Sequence, residues 1–193
     1  MRIIDVSKYQ GNIDWRAVSE VEDLAGVIFR TTTQNGKLDE GLIENYKNAK
    51  SNFNDHFNTI EGYKFTYATN YADARIECFN TISKLDEAGI EIDRLWLDLE
   101  NQGTHEMTPK ECDEVILAYC DQCSLMNVPL GLYFNRNYAL NIVNDRWRHL
   151  PLWIARYNRE LGDIGNWKAK YWQYTSNGQI DGIPKNVDIS KVL

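Results

Sequence analysis

The sequence predicts an α/β fold, and two patterns support that prediction. Short apolar segments alternate with segments in which apolar residues recur every three or four positions, as expected for strands alternating with helices. Five such strand–helix units are followed by three further strands, joined by connections too polar or glycine-rich for long helices. Alternation favours a mainly parallel, helix-covered sheet, and eight strands favour closure. We therefore predict an irregular TIM-like β/α barrel.

The eight predicted strands are short apolar segments bounded by polar residues or glycine. In chain order they are Arg2–Asp5, Gly26–Arg30, Gly62–Phe65, Leu95–Glu100, Leu130–Tyr133, Leu152–Ala155, Tyr171–Tyr174 and Val187–Ile189.

The predicted helices follow the first five strands, and three of them have recognisable starts. Asp14 is a candidate N-cap for a helix near 15–21, and Asn70 for a long third helix. Thr108–Glu111 is a capping box with proline at the first helical position. The other two helices are expected from about 39 and near 136–143. The inner face expected for the third helix consists of Ile76, Phe79, Ile82 and Leu85.

Length and charge restrict the kind of protein. The chain has 193 residues, which at about 150 residues per domain indicates one domain spanning 1–193. Its net charge of −7 argues against a nucleic-acid partner, which requires a basic surface. No apolar run approaches the roughly 18 residues of a membrane span, and the first ten residues do not form a secretory signal. We expect synthesis in the cytoplasm.

The cysteines do not indicate a metal or a cofactor. Cys120 and Cys123 form a CxxC pair, but no second such pair or histidine pair completes a zinc site. Together with Cys112 and the apolar residues between them they have the spacing of a buried helix face. We predict no metal and no cofactor.

The fourth strand carries the strongest chemical signal, Trp96-Leu-Asp98-Leu-Glu100. Side chains alternate along a strand, so Asp98 and Glu100 share the face opposite the leucines and point into a barrel at the catalytic end of its strand. Two such carboxyl groups resist desolvation and repel each other, which favours one protonated group. A protonated acid beside an ionised carboxylate suits cleavage of a glycosidic bond, and the spacing fits either a retaining or an inverting separation.

Two further acids end neighbouring strands. Asp5 follows the first strand's isoleucines, and Asp188 lies on the last strand. Because first and last strands are adjacent in a closed barrel, we expect both carboxylates on the rim that carries Asp98 and Glu100. Four converging acids disfavour stability, which favours a functional explanation.

At these positions the chain resembles glycoside hydrolase family 25, the lysozymes of phage endolysins and bacterial autolysins. The resemblance extends from Asp5 almost to the last residue. The similar stretches are Asp5–Gly11 with Ile13–Trp15, Gly62–Phe65, Leu97–Glu100, Pro151–Ala155, and Tyr171–Tyr174 leading to Gly182 and Val187–Asp188.

The resemblance implies hydrolysis of the β-1,4 bond from N-acetylmuramic acid to N-acetylglucosamine in bacterial peptidoglycan. Glu100 would be the general acid. Asp98 would stabilise positive charge, orient the substrate's acetamido group or act as nucleophile. Asp5 and Asp188 would line the site and tune the pKa values of the first pair.

The resemblance also implies substrate-binding residues. Tyr63, Trp153 and Gln173 stand where the family has residues near the sugar. Tyr133 fits the cleft and the core equally well. Arg156 stands where histidine is common, and would pair with a site acid or a peptide carboxylate.

The chain departs from the family pattern at two places. Lys64 replaces a histidine, on the strand face opposite Tyr63. The stretch 30–36, Arg-Thr-Thr-Thr-Gln-Asn-Gly, lacks the acid and the small residue that follow the family's second strand.

Two alternatives remain open from the sequence. The first is another barrel glycosidase such as a chitinase, whose D-x-x-D-x-D-x-E motif is matched by Asp93, Asp98 and Glu100 but has Trp96 at its second acid. The second is a catalytically inactive glycan-binding barrel. For a lysozyme we expect action on the cell wall after holin-type release or lysis, and no separate wall-binding domain.

Overall fold

The barrel closes, as predicted. A computed structural model describes residues 1–53, 57–100, 105–157 and 160–193, and its strands are hydrogen-bonded in chain order into a closed eight-stranded barrel. The first seven strands run parallel to one another, and the eighth is antiparallel to its two neighbours, the first and the seventh. The strands are β1 (Arg2–Val6), β2 (Leu24–Arg30), β3 (Thr59–Phe65), β4 (Leu95–Asp98), β5 (Leu130–Asn135), β6 (Leu152–Ala155), β7 (Ala169–Gly178) and β8 (Val187–Val192).

The α-helices follow the first four strands. They are α1 (Trp15–Ser19), α2 (Leu42–Asn52), α3 (Tyr71–Glu87) and α4 (Pro109–Leu125). Asp14, Asn70 and Thr108 cap α1, α3 and α4 as predicted, each accepting backbone N–H groups of the first turn. The helix expected near 136–143 is instead a short π-helical segment, Tyr138–Ile142, whose start is held by the Asn135 side chain.

The inner face predicted for α3 is half wrong. Ile82 and Leu85 are buried, but Ile76 and Phe79 are 60% and 50% exposed. The helical period explains the error. Ile82 and Leu85 lie on the helix face that begins at Ala74, and Ile76 lies on the side of the helix opposite Leu85. The buried face consists of Ala74, Cys78, Thr81, Ile82 and Leu85.

The cysteine face of α4 packs against α3. Cys112 and Cys123 are buried as predicted, and Cys120 is partly buried. The Cys78 and Cys123 sulfur atoms are 3.6 Å apart as free thiols. Cys78, Cys112 and Cys123 belong to one buried core cluster, which supports them as packing residues.

Strand alternation separates two layers of core. Leu95, Leu97 and Leu99 point outward into the layer between barrel and helices, while Trp96 points inward. Trp96 packs edge-on against Trp153 at 5.9 Å between ring centroids and donates to the buried carboxylate of Glu61 at 2.6 Å. These side chains fill the lower part of the barrel, near the N-terminal ends of its parallel strands. Polar groups occupy the upper end, where those strands end. Within the part of the chain described, no helix is both long and apolar enough to cross a membrane.

Candidate active site

The upper rim of the barrel gathers the ends of the parallel strands and the beginning of β8. Because β8 runs antiparallel, its second residue lies level with the last residues of its neighbours. Asp188 is paired directly with Asp5 across β1 and β8, and Asp98 is level with Phe65 of β3 and Tyr133 of β5. The reversed strand therefore brings the fourth acid to the rim.

A cavity of about 250 Å³ opens on this rim. Eight of the nine site residues predicted from the sequence line it. Among the described residues, the lining consists of Asp5, Arg30, Tyr63, Phe65, Tyr67, Asp98, Glu100, Tyr133, Trp153, Tyr157, Gln173 and Asp188.

Arg156 is the predicted residue that the structure does not place in the lining. Its guanidinium donates to the carbonyl oxygen of Leu161 and lies against Gly162. The backbone N–H of Arg156 donates to the Gln173 carbonyl at 2.9 Å, continuing the β6–β7 pairing. In this arrangement the side chain holds the connection after β6.

Four lining residues were not among those predicted: Arg30, Phe65, Tyr67 and Tyr157. A usable signal exists for the first three. Arg30 lies two positions beyond inward-facing Ile28, and Phe65 and Tyr67 continue the face of Tyr63. Tyr157 lies beyond the end of β6, where strand periodicity no longer fixes a direction.

Gln173 is the centre of the hydrogen-bond network. Its amide oxygen accepts from the hydroxyls of Tyr133 at 2.8 Å and Tyr157 at 2.9 Å. Its amide nitrogen donates to Asp5 at 2.9 Å and to Asp188 at 3.3 Å. Since both ends of the amide are used, its orientation is fixed, and it holds two tyrosines and two acids in one arrangement.

Trp153 is mainly a packing residue at the floor of the cavity. It is 2% exposed and its ring lies 4.4 Å from that of Tyr133, centroid to centroid. Its indole nitrogen donates to the Ser190 hydroxyl at 2.8 Å. Tyr63 packs edge-on against it at 6.3 Å. Trp153 therefore fixes the aromatic residues above it.

Asp98 and Glu100 are both withdrawn from water. Asp98 is 6% exposed, and its Oδ1 atom has no hydrogen-bond partner among the described residues. Desolvation and the charge of Glu100 raise the pKa of Asp98 well above its usual range, against the opposing effect of Arg30 and Lys64. Burial also raises the pKa of Glu100, against a hydrogen bond with Tyr133. The pair therefore retains a proton at a pH where free carboxyl groups are ionised.

The pKa values of Asp5 and Asp188 are also raised. Burial and the charge of Asp188 raise the pKa of Asp5 well above its ordinary value. Burial, with a contribution from Glu100, raises the pKa of Asp188 to about 6. The rim is a cluster of four interacting acids.

The raised pKa of Asp188 predicts a dependence of stability on pH. A carboxyl group whose pKa rises from 3.8 to about 6 on folding binds its proton more tightly in the folded state, so stability is lost as pH increases across that interval. We expect Asp188→Asn to be more stable than the wild type by about 1–2 kcal/mol at pH 8, after allowing for partial exposure. At pH 4 the difference should be much smaller. Urea unfolding at both pH values measures it.

The control for this variant is Asp181→Asn, which changes an exposed aspartate on the connection before β8. Its stability should follow that of the wild type across the pH range. Equal pH profiles for Asp188→Asn and the wild type would contradict the prediction.

The described residues contain no cluster of three or more histidine, cysteine, aspartate or glutamate side chains arranged to hold a metal ion. The raised pKa values of the acids and the presence of Arg30 suit this rim to proton transfer and electrostatic stabilisation.

Fold and site together define a glycoside hydrolase of the β/α-barrel class. The sequence profile of the family described as Glycosyl hydrolases family 25 matches residues 4–183. The chain belongs to that family.

Known structures and curated proteins agree with this assignment. The autolysin LytC of Streptococcus pneumoniae, solved in complex with a synthetic peptidoglycan ligand, is 26% identical with a TM-score of 0.83, covering 98% of this chain and 46% of its own. The CTP1L endolysin is also 26% identical with a TM-score of 0.83, covering 100% and 66%. The autolytic lysozyme of Clostridium acetobutylicum is 24% identical, covering 99% and 55%. The chain thus spans between about half and two thirds of the length of these relatives.

Proposed function

We propose that the protein is an N-acetylmuramidase, a lysozyme that hydrolyses the β-1,4 bond between N-acetylmuramic acid and N-acetylglucosamine in peptidoglycan. The observation that carries the proposal is the pair Asp98 and Glu100, two desolvated carboxyl groups with raised pKa values on one cavity wall. Such a pair supplies the proton donor and the negative charge that glycosidic bond cleavage requires. Membership of family 25 supports the same reaction.

Glu100 is the general acid in this proposal and Asp98 is the charged group. Arg30 and Lys64 act on Asp98 and favour its ionised form. Burial and the charge of Glu100 outweigh these two cations, so the pKa of Asp98 does not by itself place the proton. In this proposal Glu100 holds the proton in the reacting complex and donates it to the departing glycosidic oxygen. Ionised Asp98 stabilises the positive charge that develops on the sugar ring.

The remaining cavity residues prepare the site. Asp5 adds negative charge that raises the pKa of Asp98, and Gln173 holds both Asp5 and Asp188 in place. Tyr63 and Tyr133 line the space open to a sugar, with Trp153 packed beneath them. Arg156 contributes by fixing the connection after β6 rather than by contacting the sugar.

Mass spectrometry of digested peptidoglycan tests this proposal. Products with muramic acid at the reducing end are expected. Products with glucosamine at the reducing end, or released peptides without glycan cleavage, would contradict it. Cleavage of chitin oligomers at a comparable rate would indicate the chitinase alternative.

The structure provides no support for the chitinase motif. Asp93 accepts from the Ile60 backbone N–H at 2.8 Å and the Thr59 hydroxyl at 3.1 Å, at the end of the barrel opposite the cavity. Trp96, at the second acid position, donates to Glu61 in the barrel floor. An inactive glycan-binding barrel is disfavoured because Glu100 is present and lines the cavity.

The setting follows from the proposed substrate. We propose that residues 1–193 form one catalytic domain acting on the bacterial cell wall, reached by holin-type release or by lysis. The endolysin similarity supports this route.

A further inference from the structure

The loop after β3 adds an aromatic edge to the cavity. Phe65 and Tyr67 both line it, and both are partly exposed. Their rings lie 4.8 Å apart between centroids, tilted by 51°. Partly exposed aromatic rings beside a sugar-sized cavity offer flat apolar faces to the C–H groups of a glycan.

This loop is held by a carboxylate that comes from outside the barrel. Glu77 of α3 accepts from the Thr66 hydroxyl at 2.7 Å and from the Tyr67 backbone N–H at 3.1 Å. It also accepts from the hydroxyl of Tyr119 on α4 at 2.8 Å. One side chain thus fixes the backbone from which Tyr67 projects.

Lys64 completes this anchor from the outer face of β3. Its ammonium group lies 3.4 Å from Glu77, 3.4 Å from the Thr33 carbonyl oxygen and 5.1 Å from the centroid of the Tyr67 ring. Its side chain is 1% exposed. Lys64 therefore connects the loop after β2, the loop after β3 and α3.

A buried ion pair is a poor way to gain stability. Removing two charges from water costs free energy that their attraction often only offsets, and an apolar pair of equal size packs as well. The charged pair instead contributes conformational specificity, because its hydrogen bonds fix the loop after β3 in one arrangement. That arrangement sets the position of Tyr67 at the cavity.

We propose that Tyr67 is a glycan-contacting residue at the edge of the site, and that Glu77 and Lys64 are positioning residues that act through it. The inference rests on the proposed function, since it assumes that the cavity binds an N-acetylated glycan. It assigns Tyr67 to binding rather than to the proton transfer performed at Glu100.

The test is a double-mutant cycle on binding, performed in a Glu100→Gln background so that turnover is not needed. The probe is a tetrasaccharide of alternating N-acetylglucosamine and N-acetylmuramic acid, and calorimetry measures its Kd. We expect Tyr67→Ala to raise Kd about three- to tenfold, the effect of losing one aromatic contact, while Tyr67→Phe leaves it near the parent value. Glu77→Gln should raise Kd by a smaller factor.

The decisive comparison is the variant that combines Tyr67→Ala with Glu77→Gln. If Glu77 acts through Tyr67, the combined variant binds as Tyr67→Ala alone. A purely structural role for Glu77 would make the two effects multiply, and that result would overturn the proposal. An unchanged Kd for Tyr67→Ala would overturn it as well.

Two further variants separate positioning from loss of fold. Lys64→Met with Glu77→Gln removes both charges together, so no unpaired buried charge remains, and it should retain the weaker binding of Glu77→Gln. Asp113→Asn is the matched control, because Asp113 on α4 also accepts from a connecting segment, from Arg146 at 2.9 Å and Trp147 at 2.7 Å, away from the cavity. Its Kd should equal that of the parent.

The outcomes remain distinct from those of the proposed function. The product analysis uses the wild-type chain and depends on Glu100, whereas the binding cycle does not require cleavage. Muramidase products with a multiplicative cycle would reject only the role of Tyr67 and its anchor.

Discussion

Glu100→Gln is expected to abolish measurable turnover while leaving the fold intact. The amide has nearly the same shape as the carboxyl group but cannot donate a proton to the glycosidic oxygen. General acid catalysis typically contributes about 10²–10⁴-fold, so kcat on purified peptidoglycan should fall by at least that range. Glycan affinity should change little, because the loss concerns the transition state. Reducing-sugar release from sacculi measures the effect.

The matched control is Glu106→Gln. Glu106 lies on the same connection between β4 and α4, is exposed, and accepts from the side-chain amide of Asn137 at 3.1 Å. This variant should retain the wild-type rate. If Glu100→Gln clears cell walls as fast as the wild type, Glu100 is not the acid.

Much of the fold was predictable from the sequence because barrel strands carry a strict alternation. In the stretch Leu95–Glu100 three leucines alternate with a tryptophan and two acids, which left one arrangement in which the leucines avoid water. The caps at Asp14 and Thr108 were equally local, since each depends on side-chain oxygens within one turn. The convergence of Asp5 with Asp188 followed from closure alone.

The sequence-based predictions differ from the structure where the local sequence pattern does not determine which way a side chain points. The inner face of α3 is built partly from Ala74 and Cys78, small residues whose burial carries a weak hydrophobic signal, so the larger Ile76 and Phe79 were assigned inward. Tyr157 lies in a connection, where orientation depends on tertiary contacts.

Arg156 and Glu77 show the same limit for charged groups. The sequence shows a cation near a rim of acids, but the nearby Leu161 carbonyl binds the Arg156 guanidinium. Glu77 appears in the sequence as an ordinary helix glutamate. Only its approach to Thr66 and Tyr67, ten or more positions earlier, distinguishes it.

Asp98→Asn is expected to lower kcat by at least about 10²-fold, as is typical when a preorganised electrostatic group is removed. The same change should preserve or increase thermal stability. Asp98 is buried beside other acids, so its ionised form disfavours the folded state, and a neutral amide avoids that cost. The rate should therefore fall with no loss of stability, which identifies a residue retained for chemistry.

Asp93→Asn is the control that makes this prediction discriminating. Asp93 lies near the opposite end of the same strand and accepts two hydrogen bonds that fix β3 against β4. Its replacement should lower the midpoint of thermal unfolding and leave kcat nearly unchanged, the reverse of the result for Asp98→Asn. A near-normal rate for Asp98→Asn would remove Asp98 from the mechanism. A large rate loss for Asp93→Asn would instead show that the rate depends on how firmly β4 is held, rather than on the charge at its end.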